Sequence, residues 1–348
     1  MENERCRKAI NTLYRCRIRT GSKGQTKKKS NLTPRLFCSP ELNAKPFGKV
    51  ISSSLLLGTL LLGTVFSSIL IMPAVAGEKE ASYRNSELAQ QVIVSRTLDL
   101  ISLNVAHGRG TALNQLLVSA TQHRKNLREI AAILLASDAD VVALQEADAP
   151  SLWSGGFDHL EYLAEATGYM NSVHGYHADS WPYTYGAALM SKFKMSNADS
   201  HRFSPSWPTA GKGYVRGTVL WRSDDNNATA RPVTLVSVHL DFSRLAVRKA
   251  QIAELVDDLD ELRTPLIIMG DFNADWSTED SPVRMLARGL GLRAFKPTTH
   301  EFSTYNGVNR LDWILISDEL TFVDFAVLPD IVSDHLAVEA RIGWQQKD

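Results

Sequence analysis

The region after residue 77 contains no cysteine, because all three cysteines, Cys6, Cys16 and Cys38, precede it. This region can therefore form no internal disulfide and offers no thiol as a nucleophile or zinc ligand. The chain also lacks a Gly-x-Ser-x-Gly motif and a glycine-rich phosphate loop of the Walker type. These absences argue against a serine hydrolase of the α/β-hydrolase kind and against a P-loop nucleotide hydrolase.

Charged residues are absent between Val50 and Gly77. At about 1.5 Å per residue, the apolar run in this stretch is long enough to cross a hydrocarbon core of about 30 Å. The run ends in Ala74-Val75-Ala76, which fits the small-x-small pattern of a signal-peptide cleavage site. Residues 50–76 are therefore predicted to be a membrane anchor or a cleaved signal segment, and both alternatives stay open.

Charge is distributed unequally along the chain. Residues 1–49 contain 13 Lys and Arg but only 3 Asp and Glu, whereas the remainder contains 25 basic and 35 acidic residues. Since basic flanks are retained on the cytoplasmic side of a membrane, residues 1–49 are interpreted as a disordered cytoplasmic arm. The rest of the protein is then expected outside the cytoplasm, either membrane-anchored or secreted or periplasmic.

Beyond a polar connector at residues 77–96, short strand-like runs alternate with amphipathic stretches in a predicted domain at 97–348. This alternation predicts an α/β fold with two sheets packed on each other and helices outside. Strands are expected at 98–106, 139–147, 185–193, 214–221, 233–240, 265–272, 311–317 and 335–342, and helices at 121–136, 158–167 and 243–262.

Several of these predicted strands begin or end in polar residues. The residues concerned are Asn104, Glu146, His239, Asp271, Asn273, Asp312, Asp334 and His335. One such residue is readily explained by a turn, but a set at corresponding strand ends indicates a functional site. Asn, Asp and Glu supply the hard oxygen ligands that Mg²⁺ or Mn²⁺ accepts, and histidine suits proton transfer at a phosphoryl group.

The segments SLNVAHGRG, DVVALQE, SVHLD, IIMGDFNA, RLDWILIS and SDHLAVEA follow one another in this order. Together they resemble the successive motifs of the endonuclease/exonuclease/phosphatase superfamily, over about residues 97–343. The resemblance implies a four-layer α/β sandwich with two mostly antiparallel sheets. It also implies metal-assisted hydrolysis of a phosphodiester or phosphomonoester by an activated water, without a covalent intermediate.

The resemblance also implies a role for each matching residue. Asn104, Glu146 and Asp334 match the metal site, with Mg²⁺ or Mn²⁺ as the expected ion. His335, oriented by Asp312, is expected to contact the scissile phosphate or activate water. The pair Asp271 and Asn273 is expected to position or deprotonate the water, and His239 to form a second phosphate contact.

Three further residues are weaker candidates. Arg109 and Arg216 are each expected either to bind substrate phosphate or to form a structural ion pair. The deoxyribonuclease and sphingomyelinase branches, which carry histidine at the position of His239, support that histidine with a glutamate. Asp179 is the candidate for this role here.

The substrate remains open among a lipid, a small molecule and a nucleic acid. The acidic balance after residue 77 disfavours binding to duplex nucleic acid, which depends on Lys and Arg. We therefore expect a monomeric enzyme with a lipid or small phosphodiester substrate. The alternatives are an extracytoplasmic nuclease acting on DNA or RNA, and a catalytically inactive membrane-tethered binding module, which the complete set of motif residues disfavours.

Overall fold

The computed structural model describes residues 80–346, apart from residue 88 and residues 225–227. The predicted arm at 1–49 and the predicted membrane segment at 50–76 lie outside this range. Among the helices of the described range, none has the length and apolar character needed to span a membrane.

The described residues form strands and helices that alternate along the chain. The strands are β1 (Ala81–Arg84), β2 (Val92–Val94), β3 (Thr97–Asn104), β4 (Val141–Asp148), β5 (Asn171–Gly175), β6 (Ala178–Ser180), β7 (Tyr183–Ser191), β8 (Ser196–Arg202), β9 (Gly213–Arg222), β10 (Arg231–His239), β11 (Leu266–Asp271), β12 (Leu292–Ala294), β13 (Asp312–Ser317), β14 (Leu320–Val327) and β15 (Val338–Trp344). The α-helices are α1 (Ala120–Ser137), α2 (His159–Thr167), α3 (Leu245–Leu259) and α4 (Pro282–Gly289).

These strands form two mixed sheets. The first has the order β1-β5-β7-β4-β3-β15-β14, with β6 paired to β7, and the second has the order β12-β13-β11-β10-β9-β2, with β8 paired to β9. Most neighbours are antiparallel, but β3 with β4, β10 with β11 and β2 with β9 are parallel. The expectation of mostly antiparallel sheets therefore holds with three parallel pairs.

Three apolar clusters hold four layers together. One lies between the two sheets and includes Leu100, Leu189 and Ile314. A second joins the outer face of the first sheet to α1 and α2, and the third joins the outer face of the second sheet to α3 and α4. Strands covered on both faces read as nearly continuous apolar runs, which explains why the central strands were visible in the sequence.

Two parts of the predicted organisation differ in the structure. The region expected to be a polar connector, residues 77–96, contains β1 and β2, which add an edge strand to each sheet. The last strand begins at Val338 rather than at residue 335, because His335 belongs to a loop and forms only an isolated bridge with Tyr305.

The strand register brings the polar strand ends to one edge of the sandwich. In the first sheet Asn104 lies opposite Gln145, and in the second His239 lies opposite Asp271, which in turn lies opposite Asp312. We call this edge, together with its loops, the active-site end and the other edge the distal end.

Candidate active site

Glu146 lies on an irregularity of β4 that turns its side chain into the site. Leu144 pairs with Ala188 and Ala147 pairs with Gly186, so β4 carries one extra residue between these positions. Glu146 has φ of 53°, a left-handed conformation that costs free energy for a residue other than glycine. Such strain is often retained where it positions a functional side chain.

The carboxylate of Glu146 faces several cationic or potentially cationic groups. Its oxygens lie 3.3 Å from His107 Nε2, 3.8 Å from Lys212 Nζ and 3.9 Å from His239 Nε2. Burial alone would raise the pKa of Glu146, but His107 and Lys212 foremost hold it well below its usual value. Glu146 is therefore ionised and available as a metal ligand at neutral pH.

Asp271 lies between the two site histidines. Its Oδ2 lies 3.5 Å from His239 Nε2 and 3.8 Å from His335 Nε2, and it accepts a hydrogen bond of 2.9 Å from Asn104 Nδ2. Its Oδ1 accepts from the backbone N–H of Asn273 at 2.8 Å. Burial, with a contribution from Asp312, raises the pKa of Asp271 to about 6 against the opposing effect of His335. A carboxylate with this pKa is suited to accept a proton near neutral pH.

His335 is held by Asp312 on one side and leaves its other nitrogen towards Asp271. The Nδ1 of His335 lies 2.8 Å from Asp312 Oδ2. Burial alone would lower the pKa of His335, but Asp312 and Asp271 raise it to about 10. The Asp312–His335 pair therefore carries an imidazolium at neutral pH, and its Nε2–H points to the centre of the site.

His239 has a different neighbour. The Nζ atom of Lys212, a side chain only 5% exposed, lies 3.2 Å from Nδ1 and 3.1 Å from Nε2 of His239. Burial first, and then the charge of Lys212, lower the pKa of His239 well below its usual value. His239 is therefore neutral at neutral pH.

Sequence reasoning did not include Lys212 in the site. The signal that could have revealed it is the pair of glycines that flank it, immediately before β9. A Cβ on Gly211 would lie 2.1 Å from the carbonyl oxygen of His177, and one on Gly213 would lie 2.2 Å from that of His201. Both positions therefore need glycine so that the segment carrying Lys212 can approach the sheet closely.

A second missed group supports Glu146. Asp148, which is fully buried, accepts from Trp153 Nε1 at 2.7 Å and lies 2.7 Å from His107 Nδ1, and His107 Nε2 faces Glu146. His107 follows Asn104 closely in the chain, but its partner Asp148 lies 41 residues further on, so the local sequence does not reveal this contact. The carboxylates of Glu146 and Asp148 raise the pKa of His107 against the effect of burial.

Arg109 and Arg216, the two weaker candidates for phosphate binding, have different surroundings in the structure. Arg109 lies at the site, where its guanidinium donates to Asp334 Oδ2 and to the backbone oxygen of Ala106. Arg216 instead pairs with Asp258 at 2.7 Å and with Asp199 at 2.9 Å. These contacts favour the structural ion pair, which was the alternative for this residue.

Asp179 does not support His239. Its carboxylate accepts a hydrogen bond from Thr184 Oγ1 within the β6–β7 hairpin, on an exposed position. The nearest charged group to His239 is instead the ammonium group of Lys212, 3.1 Å from Nε2, and it adds to the effect of burial in lowering the pKa of His239.

The site chemistry fits a divalent cation. Ligand atoms of Asp271, Asp312 and His335 all lie within 4.8 Å of one another, and this buried group could hold a metal ion once His335 has lost its proton. Asp312 Oδ1 is buried and has no hydrogen-bond partner, so one carboxylate oxygen is left for a ligand. The ionised Glu146 offers a second carboxylate position, and hard oxygen donors of this kind suit Mg²⁺ or Mn²⁺.

Comparison with known proteins agrees with this geometry. A family model described as the endonuclease/exonuclease/phosphatase family matches residues 101–335, and the chain belongs to this family. Enzymes of the family hydrolyse phosphoesters and generally use divalent metals. No curated protein sequence matches the chain.

Solved structures share the fold at low sequence identity. The catalytic domain of human nocturnin with bound sulfate is 18% identical with a TM-score of 0.53, covering 73% of this chain and 96% of its own. A mannosyl-6-phosphatase from Bacteroides thetaiotaomicron is 15% identical with a TM-score of 0.52, covering 71% of this chain and 100% of its own. A family member from Beutenbergia cavernae is 18% identical with a TM-score of 0.54, with 72% of each chain covered. The nocturnin and mannosyl-6-phosphatase chains lie almost wholly within the matched region, so in those two proteins the fold forms without a further domain.

Proposed function

We propose that this protein is a metal-dependent phosphoester hydrolase, exported or membrane-tethered, that uses Mg²⁺ or Mn²⁺. The observation that carries the proposal is the position of Asp271, within 4 Å of both His239 and His335, with Asp312 behind His335. This arrangement combines a proton acceptor, a protonated imidazole and an orienting carboxylate, which are the groups needed for hydrolysis by an activated water.

The proposed role of each residue follows from its charge at neutral pH. Asp271, helped by Asn273, positions a water and accepts its proton, while the imidazolium of His335 donates to a phosphoryl or leaving-group oxygen. Lys212 supplies a further positive charge from a buried position, where electrostatic stabilisation is stronger than in water. Arg109 is a candidate phosphate ligand that Asp334 holds in place.

The proposed metal ligands are Glu146, Asn104 and Asp334. A bound divalent cation would neutralise charge that develops on the phosphoryl and leaving oxygens. Asn104 is already oriented, because its Nδ2 donates to Asp271 and its Oδ1 accepts from the Ala106 backbone. The structure offers Asp271, Asp312 and His335 as a competing position, so ligand substitutions are needed to distinguish the two.

An inactive binding module would need none of these contacts. Distances of 3.9 Å or less connect seven of the eight motif residues. Asp334 joins them through Ser333, whose hydroxyl donates to the backbone oxygen of Asn104 and lies 3.3 Å from Asp334 Oδ1. Such a complete network favours an enzyme.

A direct assay tests the proposal. Residues 78–348 are purified and incubated with bis(p-nitrophenyl) phosphate and p-nitrophenyl phosphate, in EDTA and in Mg²⁺ or Mn²⁺. We expect turnover of at least one ester that depends on added metal and is lost on substitution of His335 by alanine. Equal turnover in EDTA, or full activity of the His335→Ala protein, would contradict the assignment.

Export is tested separately from activity. The basic residues of 1–49 and the uncharged run of 50–76 support a location of the catalytic domain outside the cytoplasm. A phosphatase reporter fused after residue 78 should be active in the exported compartment. Reporter activity confined to the cytoplasm would refute this location and would leave the proposed chemistry intact.

A further inference from the structure

Exposed apolar side chains are concentrated at one end of the molecule. Among the described residues, nine large hydrophobic side chains are between 65% and 98% exposed. They are Leu113, Leu116, Leu117, Leu152, Trp181, Trp207, Phe242, Val308 and Ile331, and we call them the rim. Among the described residues, no other large hydrophobic side chain is more than 57% exposed. The high exposure of the rim residues therefore calls for an explanation.

All nine rim residues lie in the connections at the active-site end, and three of them, Leu116, Leu117 and Leu152, belong to short 3-10 helices there. Leu113, Leu116 and Leu117 follow the end of β3, Leu152 follows β4 and Phe242 follows β10, so these five come directly after strands that carry Asn104, Glu146 and His239. The other four occupy the turn between β6 and β7, the β8–β9 connection, and the loops that precede β13 and β15. Seven separate connections at this end each carry at least one exposed apolar side chain, so the exposure does not come from a single segment, and an exposed apolar surface of this kind marks an interaction site.

The point at which the chain enters the domain lies at the same end. Ala81 of β1 pairs with Gly175, and Ala178 of the following hairpin pairs with Tyr185. Tyr185 lies opposite Asp148, at the carboxyl end of β4. The first described strand thus begins at the active-site end.

The uncharged run stops only a few residues earlier. Residues 77–80 separate its end from β1, and four residues span at most about 14 Å. If the run at 50–76 is in a bilayer, as proposed above, this short connection brings the active-site end to the bilayer surface.

We infer that the rim docks on a phospholipid bilayer and that the substrate phosphoester belongs to a lipid headgroup. This inference rests on the proposed phosphoester hydrolase activity. Tryptophan and phenylalanine favour the interface between headgroups and acyl chains, and leucine contributes apolar burial. In the reaction, water adds to phosphorus, the phosphorus–oxygen ester bond breaks, and the leaving oxygen takes up a proton, so one water is consumed for each ester.

Docking should depend on apolar contact rather than on charge. The sequence after residue 77 is acidic, with 35 acidic and 25 basic residues, so electrostatic attraction to anionic lipids is not the expected source of binding. We therefore expect association with zwitterionic phosphatidylcholine vesicles that changes little with salt.

A matched pair of variants tests the surface. Residues 78–348 are used, so that the uncharged run does not itself bind vesicles. Leu113→Ser/Leu117→Ser alters the rim, and Val94→Ser/Val323→Ser makes the same kind of change at exposed positions elsewhere. In sedimentation with phosphatidylcholine vesicles, we expect binding at least about 10-fold weaker for the rim variant and within about 2-fold of the unsubstituted protein for the control.

Tryptophan fluorescence gives an independent measurement. Brominated phosphatidylcholine should quench part of the emission, and Trp181→Phe/Trp207→Phe should remove that part, since these two side chains are 85% and 87% exposed. Absence of vesicle binding, equal loss in both serine variants, or quenching unchanged by the phenylalanine variant would overturn the docking surface. Rim-dependent dimerisation in the absence of vesicles would overturn it in favour of a second copy of the chain.

Turnover separates this inference from the proposed function. Vesicles of phosphatidylcholine, sphingomyelin and phosphatidylinositol are compared with soluble bis(p-nitrophenyl) phosphate. We expect the rim variant to lose at least about 10-fold on vesicles, in line with its weaker binding, and to retain turnover of the soluble ester. Soluble turnover without hydrolysis of vesicle lipid, or faster nicking of plasmid DNA than lipid hydrolysis, would overturn the lipid substrate alone. Vesicle binding without turnover of any ester would overturn the hydrolase.

Discussion

The two histidines of the site are alike in position and opposite in electrostatics. His239 ends one strand of the second sheet, and His335 lies in the loop beside the strand that Asp312 begins. Both are buried and both face Asp271. Yet His335 has a carboxylate behind it and a raised pKa, whereas His239 has an ammonium group beside it and a lowered pKa.

This difference teaches that residue type alone does not fix the role of a catalytic histidine. The second charged neighbour decides whether the ring carries a proton at neutral pH. In this protein the Asp312–His335 half presents a protonated ring, which in the proposed mechanism donates to a phosphoryl or leaving oxygen. The Lys212–His239 half presents a neutral ring and a separate cation.

The largest expected effect is the loss of the donating half. His335→Ala should lower turnover by at least about 10²-fold, the range expected for a lost acid–base group. Steady-state assays on bis(p-nitrophenyl) phosphate measure this, with circular dichroism to confirm folding. The control is His300→Ala, at an exposed position outside the network, which should stay near full activity. Equal losses of turnover in the two variants would contradict a specific role of His335.

Glu146→Gln should reduce turnover by at least about 10-fold and raise the Mg²⁺ concentration needed for activity, because an amide is a poorer ligand than a carboxylate. Metal titration of activity, together with calorimetry of Mg²⁺ or Mn²⁺ binding, provides the measurement. The matched control is Glu161→Gln, on the exposed side of α2. Unchanged metal affinity of the Glu146→Gln protein would contradict Glu146 as a ligand and favour the group of Asp271, Asp312 and His335 as the metal site.

Asp312→Asn should cost about 10-fold or more in turnover by removing the carboxylate that orients and charges His335. In metal-free protein, the nuclear magnetic resonance titration of the His335 ring should move from about pH 10 to a lower pH. An unmoved titration would show that Asp271 alone maintains the charge of His335.

Lys212→Met tests the other half of the comparison. Removal of the ammonium group should raise the pKa of His239, because burial remains but Glu146 is no longer opposed by Lys212. We expect the His239 titration to move upward and turnover to fall, since the variant also loses a positive charge at the site. If the His239 titration stays where it is, burial alone sets its pKa.

The smallest expected effect is on the free energy of unfolding. Its dependence on pH should have opposite signs for the two histidines. The raised pKa of His335 means that its contribution to the free energy of unfolding is present below pH 6.5 and is lost as pH rises through about 10. The lowered pKa of His239 means that its contribution is present above pH 6.5 and is lost as pH falls below that value. Urea unfolding of metal-free protein across pH should show that Asp312→Asn flattens only the alkaline side.

Much of the fold could be predicted because the central strands and long helices carry their own signal. The strands that bear Asn104, Glu146, Asp271 and Asp312 are covered on both faces, so they appear as continuous apolar runs. Helix α3 shows its buried stripe in the sequence, whereas the eight-residue α4 was missed. Edge strands such as β1, β2, β8 and β14 were also missed, because they are short or because most of their residues are exposed or half-buried, so they lack a long apolar run.

The sequence by itself determined the family, the order of the strands that carry the site and the identity of eight polar residues, because each lies in a short motif next to a strong apolar pattern. Only the tertiary structure decided how those residues are charged. The pairing of Lys212 with His239, of His107 with Glu146 and Asp148, and of Arg216 with its two aspartates joins positions far apart in the chain. Electrostatic interactions depend on the distance between charges and on their burial, and the local sequence determines neither of these quantities.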